Sequence, residues 1–200
     1  MLKLYLMDID KKMCKEWEHS FQKYKDVEVV NCEFTQFMKE HPEVDAIGSA
    51  ANSLGIMDGG LDGVYTRYFG SDLQKEVQKV IIHEHMGEQP VGSSFIVDIP
   101  GTERKKLIHT PTMRVPMKII DPYVVFTCTR SALVEAIKAG CEAVMLPAYG
   151  HLTGGLEDRI IAYLMQRAYQ SVLDRLGDNS ENTWDRYMKE IERILREVEL

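Results

Sequence analysis

Two glycine-rich stretches of this 200-residue chain have the residue types and the spacing to bind an anion. The first, VDAIGSAANSLGIMDGGLDG, covers residues 44–63, and the second, PAYGHLTGG, covers residues 147–155. The first stretch starts as a predicted buried strand, residues 44–51, and turns into its glycines at Asn52, and the second directly follows a predicted buried strand, residues 143–146. Glycine accepts positive φ and lets the backbone approach a ligand closely. Because a strand that leads through such a loop into a helix points N–H groups at an anion, the sequence predicts a small ligand that carries phosphate.

Neither glycine loop contains lysine or arginine, so we expect neutral backbone dipoles to do the binding. Neither loop matches G-x-x-x-x-G-K-[ST] or G-x-G-x-x-G, two common phosphate-binding patterns. Taken singly, each loop is also compatible with an ordinary turn. Ligands in open α/β sheets collect beyond the carboxyl ends of the strands, so the two loops together are positioned to close on opposite sides of a diphosphate.

The elements that must position these loops are short apolar strands that alternate with amphipathic helices. This alternation predicts an α/β sandwich with helices on both sides of the sheet. The segment HTPTMRVPMKIIDP holds three prolines and predicts an irregular loop over one end of the sheet. The predicted strands cover residues 2–9, 27–30, 44–51, 92–99, 106–110 and 143–146.

We expect one domain over residues 1–176. Residues 177–182 are a hydrophilic break, and an amphipathic helix follows within residues 177–200. That helix is expected to pack on the domain, and the alternative is that it supports a partner or homo-oligomer contact through Trp184 and Ile191.

Composition and charge limit the classes of protein to which the chain can belong. Hydrophobic content of 44% and charged content of 28% are typical of a soluble globular chain. The net charge of 24 − 31 = −7 argues against broad nucleic-acid binding, which needs clustered Lys and Arg. We expect neither a signal peptide nor a membrane span. The four cysteines lack C-x-x-C spacing, which favours reduced thiols and a cytoplasmic location.

Three stretches, in a fixed order, resemble the macro domain, the ADP-ribose-binding module. They are VDAIGSAANSLGIMDGGLDGVYTRYFG, LIHTPTMRVP and AVMLPAYGHLTGG, and the resemblance spans residues 27–176. The chain is most similar to a bacterial and phage-associated branch of macro-like proteins. The resemblance implies a three-layer αβα sandwich with a central mixed sheet. It also implies a partner that is an ADP-ribose-like small molecule or an ADP-ribosylated macromolecule, with hydrolysis at the distal ribose as a possible activity.

The resemblance assigns roles to residues of both loops. Asn52 matches an asparagine that contacts the distal ribose, and Asp62 in GGLDG matches an aspartate that positions water and ribose in the hydrolase branch. These two are the candidate catalytic residues, with a turn-forming asparagine and a helix N-terminal acid as the alternatives. The phosphate loops then consist of Gly59, Gly60, Gly63, Pro147, Gly150, Gly154 and Gly155.

Two further side chains of the second loop have two interpretations each. Tyr149 covers the ribose or diphosphate, or belongs to the core. His151 donates to a phosphate oxygen or acts as an acid or base near neutral pH, or is an exposed loop residue. Arg114, in the proline-rich segment, covers the cleft or pairs with surface acids.

The chain departs from the family pattern at three places. Leu152 replaces a glycine of the second loop, where it would narrow or reshape the site, and Ser49 replaces the first asparagine of the Asn-Ala-Ala-Asn run. The acid that reads the adenine amino group has only Asn31 and Glu33 as nearby candidates. These departures keep open a different ligand, or a macro-fold structural or interaction protein that has lost its ligand.

The sequence predicts neither a metal site nor a resident cofactor. His83 and His85 are two residues apart, and on a helix they would point to different sides, which is unsuited to holding one ion.

Overall fold

The computed structural model describes residues 2–176 and 184–198. The strands are β1 Lys3–Asp8, β2 Val27–Asn31, β3 Ala46–Asn52, β4 Phe95–Asp98, β5 Lys106–Met113 and β6 Ala143–Leu146. The helices are α1 Lys11–Phe21, α2 Phe34–Glu40, α3 Gly60–Phe69, α4 Asp72–His85, α5 Val124–Lys138, α6 Asp158–Leu176 and α7 Trp184–Val198.

The strands form one six-stranded sheet in the order β2-β1-β6-β3-β5-β4. All neighbouring pairs are parallel except β4 with β5, which are antiparallel. The predicted mixed sheet is therefore confirmed. Since β6 pairs with both β1 and β3, the loops that follow these three strands meet at one edge of the sheet.

Both faces of the sheet are buried. In β1, Leu4 and Leu6 pack with α1, α5 and α6, and the alternate residues Tyr5 and Met7 pack on the opposite face with α2, α3 and α4. Successive side chains of a strand point to opposite faces, so an uninterrupted apolar run indicates a strand covered on both sides. The three-layer αβα arrangement is confirmed.

The proline-rich segment is more regular than its sequence suggests. Strand β5 continues through Pro111 to Met113, so the prediction of an irregular start, HTPTM, was wrong. Proline lacks an N–H donor and is tolerated where the ladder does not need one. The β4 strand pairs with β5 only as far as His109, and Pro111 lies beyond that point, where the β3–β5 register also shifts.

Helix α7 lies against α6 in the described part of the chain. Ile194 is fully buried in the core on that side of the sheet, and Glu190 pairs with Arg167 of α6. Residues 177–182, the hydrophilic break, and the side chain of Trp184 lie outside the described residues. Within the described ranges, no helix combines the length and the apolar content of a membrane span.

Candidate functional site

The first glycine loop begins at Asn52, the last residue of β3. The side-chain amide of Asn52 donates to the carbonyl of Ile56 at 2.8 Å, and its Oδ1 accepts from the N–H groups of Leu54 and Ile56 at 3.1 and 3.3 Å. Asn52 thus closes a turn of its own loop, as the turn-forming alternative predicted. Its contact with a ribose stays a prediction.

Helix α3 starts directly after this loop, and its first N–H groups are open. The first intrahelical bond is donated by Gly63 to Gly59, so the N–H groups of residues 60–62 have no backbone acceptor. Gly60 has φ +53°, and a Cβ there or at Gly59 would meet nothing within 4 Å. The helix N-terminus carries about half a positive charge, so this end of α3 can take an anion from solvent.

Asp62 lies in the first turn of α3 and is largely buried. It is 7% exposed, and the hydroxyl of Ser49 donates to its Oδ1 at 2.6 Å. Burial raises the pKa of Asp62 to about 6, and the Ser49 hydrogen bond opposes that shift. Ser49, the departure from the family asparagine, therefore supports Asp62 from β3.

The second loop holds its shape through glycines at positions where a Cβ would be crowded or strained. A Cβ at Gly154 would lie 2.8 Å from the carbonyl carbon of Gly150. Gly150 has φ +87° and Gly155 has φ +70°, both in the left-handed region. The N–H of Leu156 donates to the carbonyl of Gly150 at 3.2 Å and closes the loop.

Leu152 adopts a left-handed backbone conformation. Its φ is +43°, and its side chain is 70% exposed. The side chain therefore extends into solvent. The positive φ lets the loop curve at this position, at the cost of local backbone strain.

Tyr149 and Pro147 line the underside of the second loop. The ring of Tyr149 is fully buried among the core residues between the sheet, α5 and α6. Of the two interpretations offered by the sequence, the structure has Tyr149 in the core. Gly48 makes room for both residues, since a Cβ there would lie 2.9 Å from the Tyr149 hydroxyl and 3.1 Å from Pro147 Cδ.

His151 is not the exposed loop residue that the sequence allowed. Its side chain is 11% exposed, and three aspartates face it: Asp8, Asp10 and Asp158. The Asp8 carboxylate, followed by those of Asp158 and Asp10, raises the pKa of His151 against the opposing effect of burial. This cluster joins the second loop to the end of β1.

A lysine that the sequence analysis did not include lies over the second loop. A Cβ at Gly155 would lie 2.8 Å from Cδ of Lys118, which comes from the segment after β5. The next residue, Ile119, donates its N–H to the carbonyl of Gly154 at 3.0 Å. The site is therefore not purely neutral, and the signal for Lys118 was its place in the predicted loop over the sheet edge.

The remaining candidates lie at the periphery. Arg114 pairs with Glu88 through two nitrogens, with Nη2 at 2.8 Å from Oε2, so it follows the surface-pair alternative. Asn31 and Glu33 are both exposed at the end of β2, and the Asn31 amide donates to the Asp8 carbonyl at 2.9 Å.

The fold and the two glycine loops are those of a macro domain. The family model for the macro domain matches residues 49–176, and the chain belongs to this family. It is 32% identical to an uncharacterized protein of Aquifex aeolicus over 70% of this chain and 78% of the relative. It is 35% identical to an uncharacterized protein of Aeropyrum pernix over 56% of each.

Solved macrodomains share the fold at low sequence identity. The Oceanobacillus iheyensis macrodomain with ADP matches with a TM-score of 0.59 and 19% identity, over 78% of this chain and 87% of that one. The macrodomain of Mycobacterium tuberculosis DarG gives 0.56 and 19%, over 65% and 84%. The Trypanosoma brucei macrodomain in complex with ADP gives 0.56 and 20%, over 66% and 53%.

Proposed function

We propose that this macro domain binds ADP-ribose, or a related nucleotide diphosphate, between its two glycine loops. One observation carries the proposal: the loops follow β3 and β6, which are neighbours in the sheet, so both face the same edge. The macrodomain of Oceanobacillus iheyensis that shares the fold has been solved with ADP, which supports a ligand of this class.

The two loops offer complementary contacts to a diphosphate. The open N–H groups at the start of α3 and the curved backbone around Gly150 and Gly155 can donate to phosphate oxygens. Lys118 adds a cation beside the second loop, and a charge-assisted hydrogen bond is stronger than a neutral one. In the same proposal Asn52 contacts the distal ribose once the ligand is bound.

Isothermal titration calorimetry with ADP-ribose tests this function directly. We expect saturable binding at one site, and much weaker binding of adenosine, which lacks the phosphates that the loops would hold. The absence of heat with millimolar ADP-ribose would contradict the proposal and favour a macro-fold interaction protein without a ligand.

The second candidate function is hydrolysis of an ADP-ribosyl group from a macromolecule, at the distal ribose. Its support is Asp62, whose pKa of about 6 suits proton transfer near neutral pH. Water, oriented by Asp62, would attack the anomeric carbon and break its bond to the macromolecule's side chain, which leaves with the proton that the water gives up. Attack on an ester of the ribose would instead break the acyl–oxygen bond and release the acid and the ribose hydroxyl. In both cases the loops would stabilise the phosphates.

Release of ADP-ribose from a mono-ADP-ribosylated protein measures this activity. We expect Asp62→Asn to lose it and Asp72→Asn to keep it, because Asp72 is the matched acid in the first turn of α4. Equal activity in both variants would remove Asp62 from the mechanism.

We also infer a reducing, cytoplasmic setting, supported by four unpaired cysteines.

A homo-oligomer through α7 is a further proposal, supported by the exposure of two apolar side chains, Met188 at 57% and Leu195 at 40%. Sedimentation of the full chain and of Met188→Lys tests it, and identical monomeric profiles would contradict it.

A further inference from the structure

Four polar side chains meet at the end of β1, beside the second glycine loop. His151 Nε2 lies 3.2 Å from Asp158 Oδ1 and 3.7 Å from Asp10 Oδ2, and His151 Nδ1 lies 3.4 Å from Asp8 Oδ2. The residues come from β1, the β1–α1 turn, the second loop and the start of α6. Segments far apart in the chain thus direct nitrogen and oxygen atoms at one point.

The spacing of these atoms is that of the ligands around one metal ion. Nitrogen and oxygen ligands about 2.0–2.2 Å from a tetrahedral metal are about 3.3–3.6 Å from one another. The Nε2–Oδ distances of 3.2 and 3.7 Å lie just outside the two ends of that range. The three ligand atoms from Asp10, His151 and Asp158 lie within 4.8 Å of one another.

The backbone already orients the two aspartates after β1. Asp8 Oδ1 accepts from the N–H of Asp10, and Asp10 Oδ1 accepts from the N–H of Lys12, both at 2.8 Å. Each carboxylate therefore turns its Oδ2 toward the imidazole. Asp8 faces Nδ1, the ring nitrogen opposite the one that faces Asp10 and Asp158, and a carboxylate at that position typically orients a metal-binding histidine.

The cluster carries unbalanced negative charge. Three carboxylates surround a single imidazole, and in the described part of the chain no lysine or arginine forms an ion pair with any of them. A protonated imidazole would balance only one of the three charges, whereas a divalent cation at Nε2 would balance two.

We propose that the chain binds a divalent first-row transition metal, Mn²⁺ or Zn²⁺, through His151 Nε2, Asp10 and Asp158, with Asp8 as the positioning residue. One imidazole with two carboxylates suits these ions. The proposal departs from the sequence expectation of no metal site. It is independent of the ligand of the cleft, because none of the argued contacts involves a nucleotide.

Titration of the EDTA-treated full chain with Mn²⁺, followed by the electron paramagnetic resonance signal of free Mn²⁺, tests the site. We expect one bound Mn²⁺ per chain, and competition by Zn²⁺. Asp158→Asn and His151→Ala should abolish binding in the micromolar range. Asp8→Asn should weaken binding by about 10–100-fold, the usual effect of losing an outer-shell partner.

Two control variants separate this site from general metal affinity. His83→Ala and Asp72→Asn remove a histidine and an aspartate on α4, and both should bind Mn²⁺ like the wild type. Circular dichroism of each variant in EDTA confirms that it is folded. The proposal is overturned by no binding of Mn²⁺ or Zn²⁺ at millimolar concentration, or by folded Asp158→Asn and His151→Ala chains that bind like the wild type.

Discussion

The two glycine loops follow neighbouring strands, but the candidate side chains of the two loops are held in place by different physical effects. After β3, Asp62 is turned inward and buried beneath the start of α3, where desolvation sets its pKa. After β6, His151 faces three carboxylates and Lys118 lies over Gly155. Interactions between charged groups therefore matter most around the second loop. The first loop therefore depends on burial and a helix N-terminus, and the second on backbone curvature and ionic neighbours.

The largest expected effect concerns the buried acid of the first loop. The pKa of Asp62 is raised from 3.8 to about 6 in the folded chain, so the folded state holds this proton more tightly than the unfolded state. The resulting stabilisation is complete at low pH and is lost as pH rises through about 6. Well above pH 6, ionised Asp62 should cost on the order of 3 kcal/mol of unfolding free energy.

Asp62→Asn removes that titration and keeps an acceptor for Ser49. Urea unfolding between about pH 4 and about pH 8 measures the free energy of unfolding of both proteins. We expect this free energy to rise in the variant relative to the wild type as pH rises. Parallel pH profiles for the two proteins would show that burial does not control this carboxyl group.

The next largest effect is expected when one glycine of each loop is replaced by alanine and the stability and the affinity of the two variants are compared. Gly154→Ala brings a Cβ to 2.8 Å from the carbonyl carbon of Gly150, which should cost about 2 kcal/mol in stability and most of the affinity for ADP-ribose. Gly59 has extended backbone and open space, so Gly59→Ala should stay within about 0.5 kcal/mol of the wild type.

Thermal denaturation and calorimetry of both glycine variants measure this contrast. Gly59→Ala serves as the control, since neither Gly154 nor Gly59 has a positive φ and a Cβ at Gly59 meets nothing within 4 Å. If Gly154→Ala and Gly59→Ala lose equal stability and equal affinity, the tight packing of the second loop is not what shapes the site.

A smaller effect is expected from the cation of the second loop. Lys118→Ala should weaken ADP-ribose binding by about fivefold, or roughly 1 kcal/mol, as for an exposed charge near phosphate. The difference should shrink in high salt, which screens exposed charges. Lys79→Ala on α4, also exposed, is the matched control, and an equal loss in it would point to net charge and not to position.

The layers of the fold could be predicted from the sequence because a strand that is covered on both faces has an uninterrupted apolar run. The run Leu4, Tyr5, Leu6, Met7 is buried on both faces of β1, and that is visible in residue types. Sheet order is not visible in the same way, since no local pattern says that β6 inserts between β1 and β3.

The parts of the site that the sequence missed all depend on that order. Pairing of Leu6 with Leu146 brings the turn after β1 beside the second loop, and only then does His151 meet Asp8 and Asp10. Lys118 likewise reaches Gly155 because β5 lies next to β3 and β3 lies next to β6. The glycines and Asp62 could be named from the sequence because they lie in short continuous stretches, and their roles toward a ligand stay predictions.

The smallest effect concerns Leu152, which the sequence suggested would reshape the phosphate loop. Its φ of +43° costs a leucine about 1 kcal/mol relative to glycine, and Leu152→Gly relieves that strain. Glycine also gains unfolded-state entropy worth about 0.5–1 kcal/mol, so the two terms nearly cancel and thermal stability should barely change. Affinity for ADP-ribose should also hold, because the 70% exposed side chain points into solvent. Calorimetry that finds tighter binding by Leu152→Gly would show instead that the leucine moves over the phosphate site, and that the second loop is gated by a side chain and not only by its backbone.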